Sequence, residues 1–99
     1  MNSLLVDASS RYTIFMEVIF RASAFKHGYE ESDFFELLAS KPIKRRSQRG
    51  ITNVYELFGQ TFAGDYLHVI YKREQDSHVV LHMNRMNERQ KTYYRKNRK

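Results

Sequence analysis

Residues 65–94 constrain the fold of this chain most strongly, because two alternating segments lead directly into a basic segment. Residues 65–73 alternate apolar and polar side chains, which is typical of a half-buried β-strand. A polar break follows, and the apolar and β-branched residues of 78–83 predict a second strand. Residues 86–97 have a helical composition, in which Arg and Lys surround two adjacent tyrosines. This order predicts a hairpin that ends in a cationic, aromatic-bearing helix.

The upstream residues predict the other elements of the fold. We expect a strand over residues 14–20, a short helix over 22–28, a second helix over 30–40 and a strand over 52–61. The second helix has apolar residues at i, i+3 and i+4, which gives it one buried face. The order β-α-α-β-β-β-α predicts an α+β fold: an antiparallel sheet of about four strands, including a three-strand meander, with helices packed on it.

The length of the chain, 99 residues, predicts a single domain. We expect residues 1–15 to be an N-terminal extension and residues 16–99 to be that domain. No apolar run approaches the roughly 20 residues of a membrane span, and the first residues lack the basic start of a signal peptide. A cytoplasmic location is the expectation.

The residue types argue against several kinds of site. The sequence contains no cysteine, which excludes disulfides and thiolate metal sites. Its four histidines have no paired helical spacing, and its four glycines are too scattered for a phosphate-binding loop. We therefore predict no metal and no cofactor. His68 and His82 fall on the two strands of the hairpin, and the register of the strands decides whether they face each other.

The net charge of +6 is unevenly distributed along the chain. Residues 41–53 contain five basic residues and no acidic one, and residues 82–99 contain seven basic residues against Glu88 alone. The rest of the chain has five basic and ten acidic residues. Such a layout favours a polyanionic partner at one face, most often nucleic acid. The alternative for the last few residues is a solvated tail.

Metal-free RNA cleavage fits the residue types of the closing segment. It requires a base for the 2′-OH proton, an acid for the leaving oxygen, and cations for the charge on phosphorus. Histidine exchanges protons near neutral pH, and tyrosine stacks bases or donates a proton. The predicted catalytic residues are His82, Arg85, Lys91 and Tyr94. The predicted nucleic-acid contacts are Lys26, His27, Lys44, Arg45, Arg46, Arg49, Arg89 and Arg95.

Each of these residues, taken singly, is as consistent with a structural or solvent-exposed role as with catalysis. In that alternative, Met86 and Tyr93 anchor the last helix on the sheet, and the cations of the helix form a solvated face. Two other functions also stay open. In the first, the chain is a non-catalytic nucleic-acid-binding module. In the second, it is a protein-interaction domain whose basic face docks an acidic helix.

Three short pieces of the chain occur in an order and spacing that resemble a known family. The first is the Lys-His-Gly of residues 26–28, which precedes a short acidic and apolar helix. Residues 55–71 are similar to a family strand pair written G-x-T-x-x-G-x-x-L-x-V. Residues 76–94 are similar to a closing strand and helix written I-S-A-R-x-M-T-x-x-E-R-x-x-Y. The chain resembles, over about residues 16–95, the BrnT toxins, the ribonuclease half of bacterial BrnT–BrnA toxin–antitoxin pairs.

The resemblance implies a RelE-like α+β fold and an endoribonuclease that cleaves mRNA without a metal and arrests growth. It also implies a ribbon-helix-helix antitoxin, similar to BrnA, that covers the toxin and represses their shared operon; operator DNA is then contacted only through the complex. Two positions depart from the family pattern. Asn84 stands where the family has Arg, with Arg85 one place later, and Gln90 stands where the family has Glu. Glutamine cannot act as a general acid or base, which keeps the non-catalytic alternative open.

Overall fold

A computed structural model describes residues 3–6, 15–47 and 51–98 and confirms the α+β class. Within these ranges the chain forms a six-stranded mixed sheet, two α-helices and one short 3₁₀ helix. The elements are β1 (Ser3–Val6), β2 (Phe15–Phe20), the 3₁₀ helix (Ala22–Phe25), α1 (Glu31–Ala39), β3 (Ile43–Arg46), β4 (Val54–Gln60), β5 (Tyr66–Glu74), β6 (Ser77–Arg85) and α2 (Glu88–Asn97). In the described ranges, neither α-helix is long and apolar enough to cross a membrane.

The sheet has the strand order β1-β2-β6-β5-β4-β3. Strands β4, β5 and β6 form the predicted antiparallel meander. However, β2 pairs with β6 in parallel, so the prediction of a wholly antiparallel sheet is wrong. Parallel neighbours need a long crossover connection. The segment between β2 and β6, which contains both the 3₁₀ helix and α1, provides that connection.

The prediction of about four strands is also wrong, because two four-residue strands lie at the edges of the sheet. β3 pairs antiparallel with β4, and β1 pairs antiparallel with β2. β3 has the sequence Ile-Lys-Arg-Arg, and an edge strand tolerates such charges because it needs only one neighbour. Strand β1 belongs to the predicted extension, residues 1–15; residues 1–2 and 7–14 of that extension lie outside the described residues.

One face of the sheet, which we call the α1 face, carries the larger part of the core. Phe34 and Leu37 of α1 are buried against Leu57, Val69 and Met83 of the sheet. The helix crosses β4 closely at a glycine, where an added Cβ would lie 3.1 Å from the Leu37 side chain. The apolar spacing that predicts α1 therefore also identifies the face that it buries.

The opposite face, which we call the α2 face, is only partly covered. Tyr94 of α2 packs with Phe58 and Met86 in a second apolar cluster. Asn87 caps the helix, because its side chain accepts a hydrogen bond from the Gln90 N–H at 2.8 Å. The helix thus begins at Glu88, two residues later than predicted. Among the described residues, no other helix packs on the rest of this face, which we call its open part.

Candidate functional site

Four side chains line up across the open part of the α2 face. Arg45 on β3 pairs with Glu56 on β4, Glu56 with Ile70 on β5, and Ile70 with His82 on β6. Paired residues point to the same face of a sheet, so the four form one row, which we call the polar row. Adjacent strands lie about 4.8 Å apart. Glu56 and His82 therefore flank Ile70 with roughly 10 Å between their backbones.

The Glu56 carboxylate is held by two neighbours. The Arg45 Nε–H donates to one carboxylate oxygen at 3.2 Å, and the His68 Nε2 contacts the other at 2.8 Å. The Glu56 side chain is 12% exposed. Charge-assisted hydrogen bonds of this kind are stronger than neutral ones, so they fix the carboxylate at the margin of the open surface.

Arg45 is itself fixed by two aromatic rings. Its guanidinium carbon lies 4.8 Å from the centre of the Phe58 ring and 4.3 Å from that of Tyr93. A guanidinium over an aromatic face is attracted by the ring quadrupole. Only the Nε–H of Arg45 donates to Glu56, so the N–H groups of its two outer nitrogens remain as donors for an anion.

His68 forms the floor beside the polar row and is 8% exposed. Burial lowers the pKa of His68, with Arg45 and His82 adding to that effect, while the hydrogen bond to Glu56 opposes it. The Gln90 amide nitrogen approaches the His68 Nδ1 at 3.4 Å. An amide N–H can only donate, so the Nδ1 accepts and the Nε2–H donates to Glu56. His68 is thus a neutral imidazole that orients the carboxylate.

The register resolves how the two hairpin histidines are arranged. His68 pairs with Asn84, and Ile70 pairs with His82, so the two rings are diagonal neighbours on one face. Burial is the main cause of the lowered pKa of His68, and the nearby His82 adds to it. His82 is exposed, whereas His68 is buried. Only His82 therefore presents an imidazole to a ligand on this face.

Arg85 and Lys91 lie together but not in the polar row. Arg85 is three residues from His82 on an alternating strand and so points to the other side of β6. With Gly64, Asp65 and Tyr66 these two cations line a cleft of about 280 Å³, which we call the Asp65 cleft. The predicted catalytic set is therefore divided between two places on the surface.

The remaining predicted residues of α2 differ in exposure. Tyr94 is only 3% exposed and belongs to the apolar cluster beneath the helix. Arg95 lies outside it, with its guanidinium carbon 5.3 Å from the centre of the Tyr66 ring. Arg89 is exposed in the first turn of the helix. Catalysis by Tyr94 stays a prediction, and its burial gives the ring a packing role.

The predicted contacts on and before β3 are spread over two faces. Alternation along the strand places Arg45 on the α2 face but Lys44 and Arg46 on the α1 face, where Lys44 lies 4.6 Å from the centre of the Tyr55 ring. Lys26 and His27 are exposed just after the 3₁₀ helix, which packs on the α1 face. Arg49 lies outside the described residues.

Three residues of the site were missed by sequence reasoning as functional candidates: Glu56, His68 and Gln90. The available signal was alternation, since Glu56 and His68 each occupy a position that alternates with buried apolar residues. Their partnership depends on the register of β4 and β5, which the sequence does not give. In the described part of the chain, no group of three or more acidic, histidine or cysteine side chains is arranged to hold a metal ion.

Acidification is expected to destabilise the fold through His68. Its pKa in the folded chain lies below the ordinary value of 6.5, because burial disfavours the charged ring. Near and below pH 6.5 the unfolded chain binds a proton that the folded chain resists, so the free energy of unfolding falls as pH is lowered through 6.5 towards the lower pKa of the folded chain. Urea unfolding at several pH values measures this slope. His68→Gln is expected to make the slope shallower; an equal slope in both proteins would contradict the prediction.

Comparisons with known proteins add no further assignment to this geometry. The chain matches no protein-family model, no curated protein and no solved structure. The site is therefore interpreted from its own side chains.

Proposed function

We propose that the chain is a metal-independent endoribonuclease and that the polar row is its active site. The observation that carries this proposal is the row itself: a carboxylate and an imidazole flank Ile70, which is half-buried among the described residues, and an arginine is bound to the carboxylate. Cleavage of RNA through its own 2′-OH needs a proton acceptor, a proton donor and a cation. Glu56, His82 and Arg45 supply these three groups.

In the proposed reaction, the scissile phosphate lies over Ile70. Glu56 accepts the proton of the 2′-OH, and the 2′ oxygen attacks phosphorus to form the P–O2′ bond. The P–O5′ bond breaks with its electron pair on the 5′ oxygen, and protonated His82 donates a proton to that oxygen. The products are a 2′,3′-cyclic phosphate and a 5′-hydroxyl end, so no water or further reactant is consumed.

Arg45 supports this reaction as the cation nearest the carboxylate. One of its five N–H donors binds Glu56, and the outer donors remain for two phosphate oxygens. Stacking on Phe58 and Tyr93 holds the guanidinium before substrate arrives. Such preorganised charge is most effective where charge develops in the transition state.

His68 and Gln90 act as positioning residues in this proposal. The Gln90 amide orients the His68 ring, and the ring in turn holds the Glu56 carboxylate. Gln90 therefore supports the site without exchanging a proton. The departure from the family's Glu at this position is compatible with cleavage when Glu56 is the base.

We further propose that the chain is a toxin of a bacterial type II toxin–antitoxin system, which cleaves mRNA and arrests growth. This step rests on the BrnT resemblance of residues 26–28, 55–71 and 76–94 and carries its expected partners: RNA, a ribbon-helix-helix antitoxin, and operator DNA through the complex of the two. The cationic α2 and the open polar row offer surfaces that an acidic antitoxin segment would cover.

A second candidate is a nucleic-acid-binding module that does not cleave. The Glu56 carboxylate favours this candidate. Both of its oxygens are already in contact with Arg45 and His68, and a general base needs an oxygen that can accept a proton from RNA. This candidate predicts binding that weakens steeply as salt rises, because counterions compete with the cations for phosphate. It also predicts intact RNA after prolonged incubation, which distinguishes it from the first proposal.

Induction in a bacterium tests the proposed function. Wild type is expected to arrest growth, with new 5′-hydroxyl ends on transcripts, whereas His82→Ala is expected to restore growth because it removes the proton donor. Gln75→Ala, in the exposed β5–β6 turn, is the matched control and is expected to arrest growth like wild type. Normal growth and intact transcripts in cells that accumulate folded wild-type protein would contradict the proposal.

A further inference from the structure

The Asp65 cleft lies at the end of the sheet where β5 begins and β6 ends. Its lining combines opposite charges: the Asp65 carboxylate, the Arg85 guanidinium and the Lys91 ammonium, with the Tyr66 ring as a wall. A volume of about 280 Å³ admits a nucleobase with its ribose. The proposed reaction uses none of these residues.

The backbone of Asp65 is hydrogen-bonded within its turn, and the residue is exposed. The Thr61 N–H donates to the Asp65 carbonyl at 3.0 Å, and the Asp65 N–H donates to the Thr61 hydroxyl at 3.1 Å. Both backbone groups of Asp65 are thus satisfied within the turn. In the part of the chain that the structure describes, no basic side chain approaches the carboxylate within ion-pair distance, although Lys91 pairs with Glu88 at 3.2 Å.

The mixed charge of the cleft distinguishes a nucleotide from a bare phosphate. A carboxylate repels phosphate, but it accepts hydrogen bonds from the N–H groups of a base. Guanine alone among the four RNA bases has two adjacent donors, N1–H and N2–H, on its Watson–Crick edge. Two carboxylate oxygens accept both, while Arg85 and Lys91 balance the charge of the phosphate that follows the base.

The cleft lies along the path of a strand bound at the polar row. Tyr66, in the wall of the cleft, and Ile70 are four residues apart on β5 and point to the same face, about 14 Å apart, on the order of two nucleotide steps in an extended single strand. Arg85 points to the other side of β6 and borders the cleft from there. A single strand with its scissile phosphate over Ile70 therefore has a base near Asp65 about two nucleotides away.

We propose that the Asp65 cleft is a base-recognition subsite selective for guanine, about two nucleotides from the scissile phosphate. The inference rests on the proposed ribonuclease function and deepens it, because it names the sequence that the enzyme selects. Asp65 sets the preference for the base, and Arg85 and Lys91 act as binding residues for the adjacent phosphate.

Chimeric oligonucleotides test this subsite. Each contains one ribonucleotide in a DNA strand, which fixes the point of cleavage, and the deoxynucleotides at the nearest few positions on both sides of that point are varied one at a time among G, A, C and T. Wild type is expected to prefer guanine at one flanking position by at least about tenfold in kcat/KM, the effect of a bidentate contact. Replacing that guanine by hypoxanthine, which lacks the N2 amine, is expected to lower the preference.

Asp65→Asn is expected to bring the ratio of guanine to adenine substrates close to one, because the amide cannot accept both protons. Asp76→Asn, in the exposed β5–β6 turn, makes the same charge change and is expected to keep the wild-type ratio. Equal rates over the wild-type panel, or a guanine preference that survives Asp65→Asn, would overturn the subsite. Binding of the all-DNA panel is measured in parallel. If no strand is cleaved, the proposed function fails. The subsite is then decided by affinity: wild type is expected to bind the guanine strand more tightly than the adenine strand, and Asp65→Asn is expected to bind both equally.

Discussion

Glu56→Gln is expected to lower kcat/KM for RNA cleavage by about 10²–10⁴-fold. The amide has nearly the shape of the carboxylate, and it still accepts a hydrogen bond from His68 or Arg45 through its one oxygen. It cannot take a proton from a 2′-OH and it keeps only one of the two hydrogen bonds that hold the carboxylate, so the loss reports the base together with its positioning. Initial rates on a fluorescently labelled single-stranded RNA measure the effect.

Glu74→Gln is the matched control for this substitution. Glu74 lies at the end of β5, where its half-exposed side chain forms a surface ion pair with Lys72 at 3.5 Å. Surface pairs of this kind contribute at most about 1 kcal/mol to stability, and we expect cleavage at the wild-type rate. Circular dichroism of both variants verifies folding. If folded Glu56→Gln cleaves within a few-fold of wild type, Glu56 is not the base, and the assignment of the polar row as the active site is wrong.

The sequence predicts the helices and strands of this fold better than it predicts which strands pair with each other. Alternation over residues 65–73 and 78–83 identifies β5 and β6, because one face of each is buried. β3 escapes such a pattern: it is an edge strand held by backbone hydrogen bonds, and Ile-Lys-Arg-Arg has too few apolar residues to show alternation. The parallel pairing of β2 with β6 joins residues about sixty positions apart, and no local signal encodes it.

The dependence on strand pairing also explains why the sequence did not predict which residues form the candidate site. His82 and Arg85 are close in the sequence, which suggested a common role, but alternation on β6 separates them. Glu56 and His68 are twelve residues apart and meet at 2.8 Å, because β4 and β5 pair in one particular register. A one-residue slip would turn either side chain to the opposite face. The sequence therefore shows which residue types are present, whereas the register of the strands decides which of them lie together.

Tyr94→Ala is expected to lower the free energy of unfolding by about 3–5 kcal/mol, the usual cost of deleting a large buried aromatic side chain. The ring is 3% exposed and packs with Phe58 and Met86, so its removal leaves a cavity between α2 and the sheet. Urea unfolding followed by circular dichroism measures the loss. Tyr94→Phe keeps the ring and is expected to stay within about 1 kcal/mol of wild type.

Substitution of the neighbouring Tyr93 distinguishes an effect on cleavage from an effect on stability. Tyr93 is half-buried and contacts the Arg45 guanidinium, so Tyr93→Ala is expected to reduce cleavage more than stability, the reverse of Tyr94→Ala. Two adjacent tyrosines on a helix point about 100° apart, which is why one anchors α2 and the other reaches the polar row. Loss of cleavage in a fully stable Tyr94→Phe would contradict this division, because it would assign the Tyr94 hydroxyl to the reaction, as the sequence alone predicted.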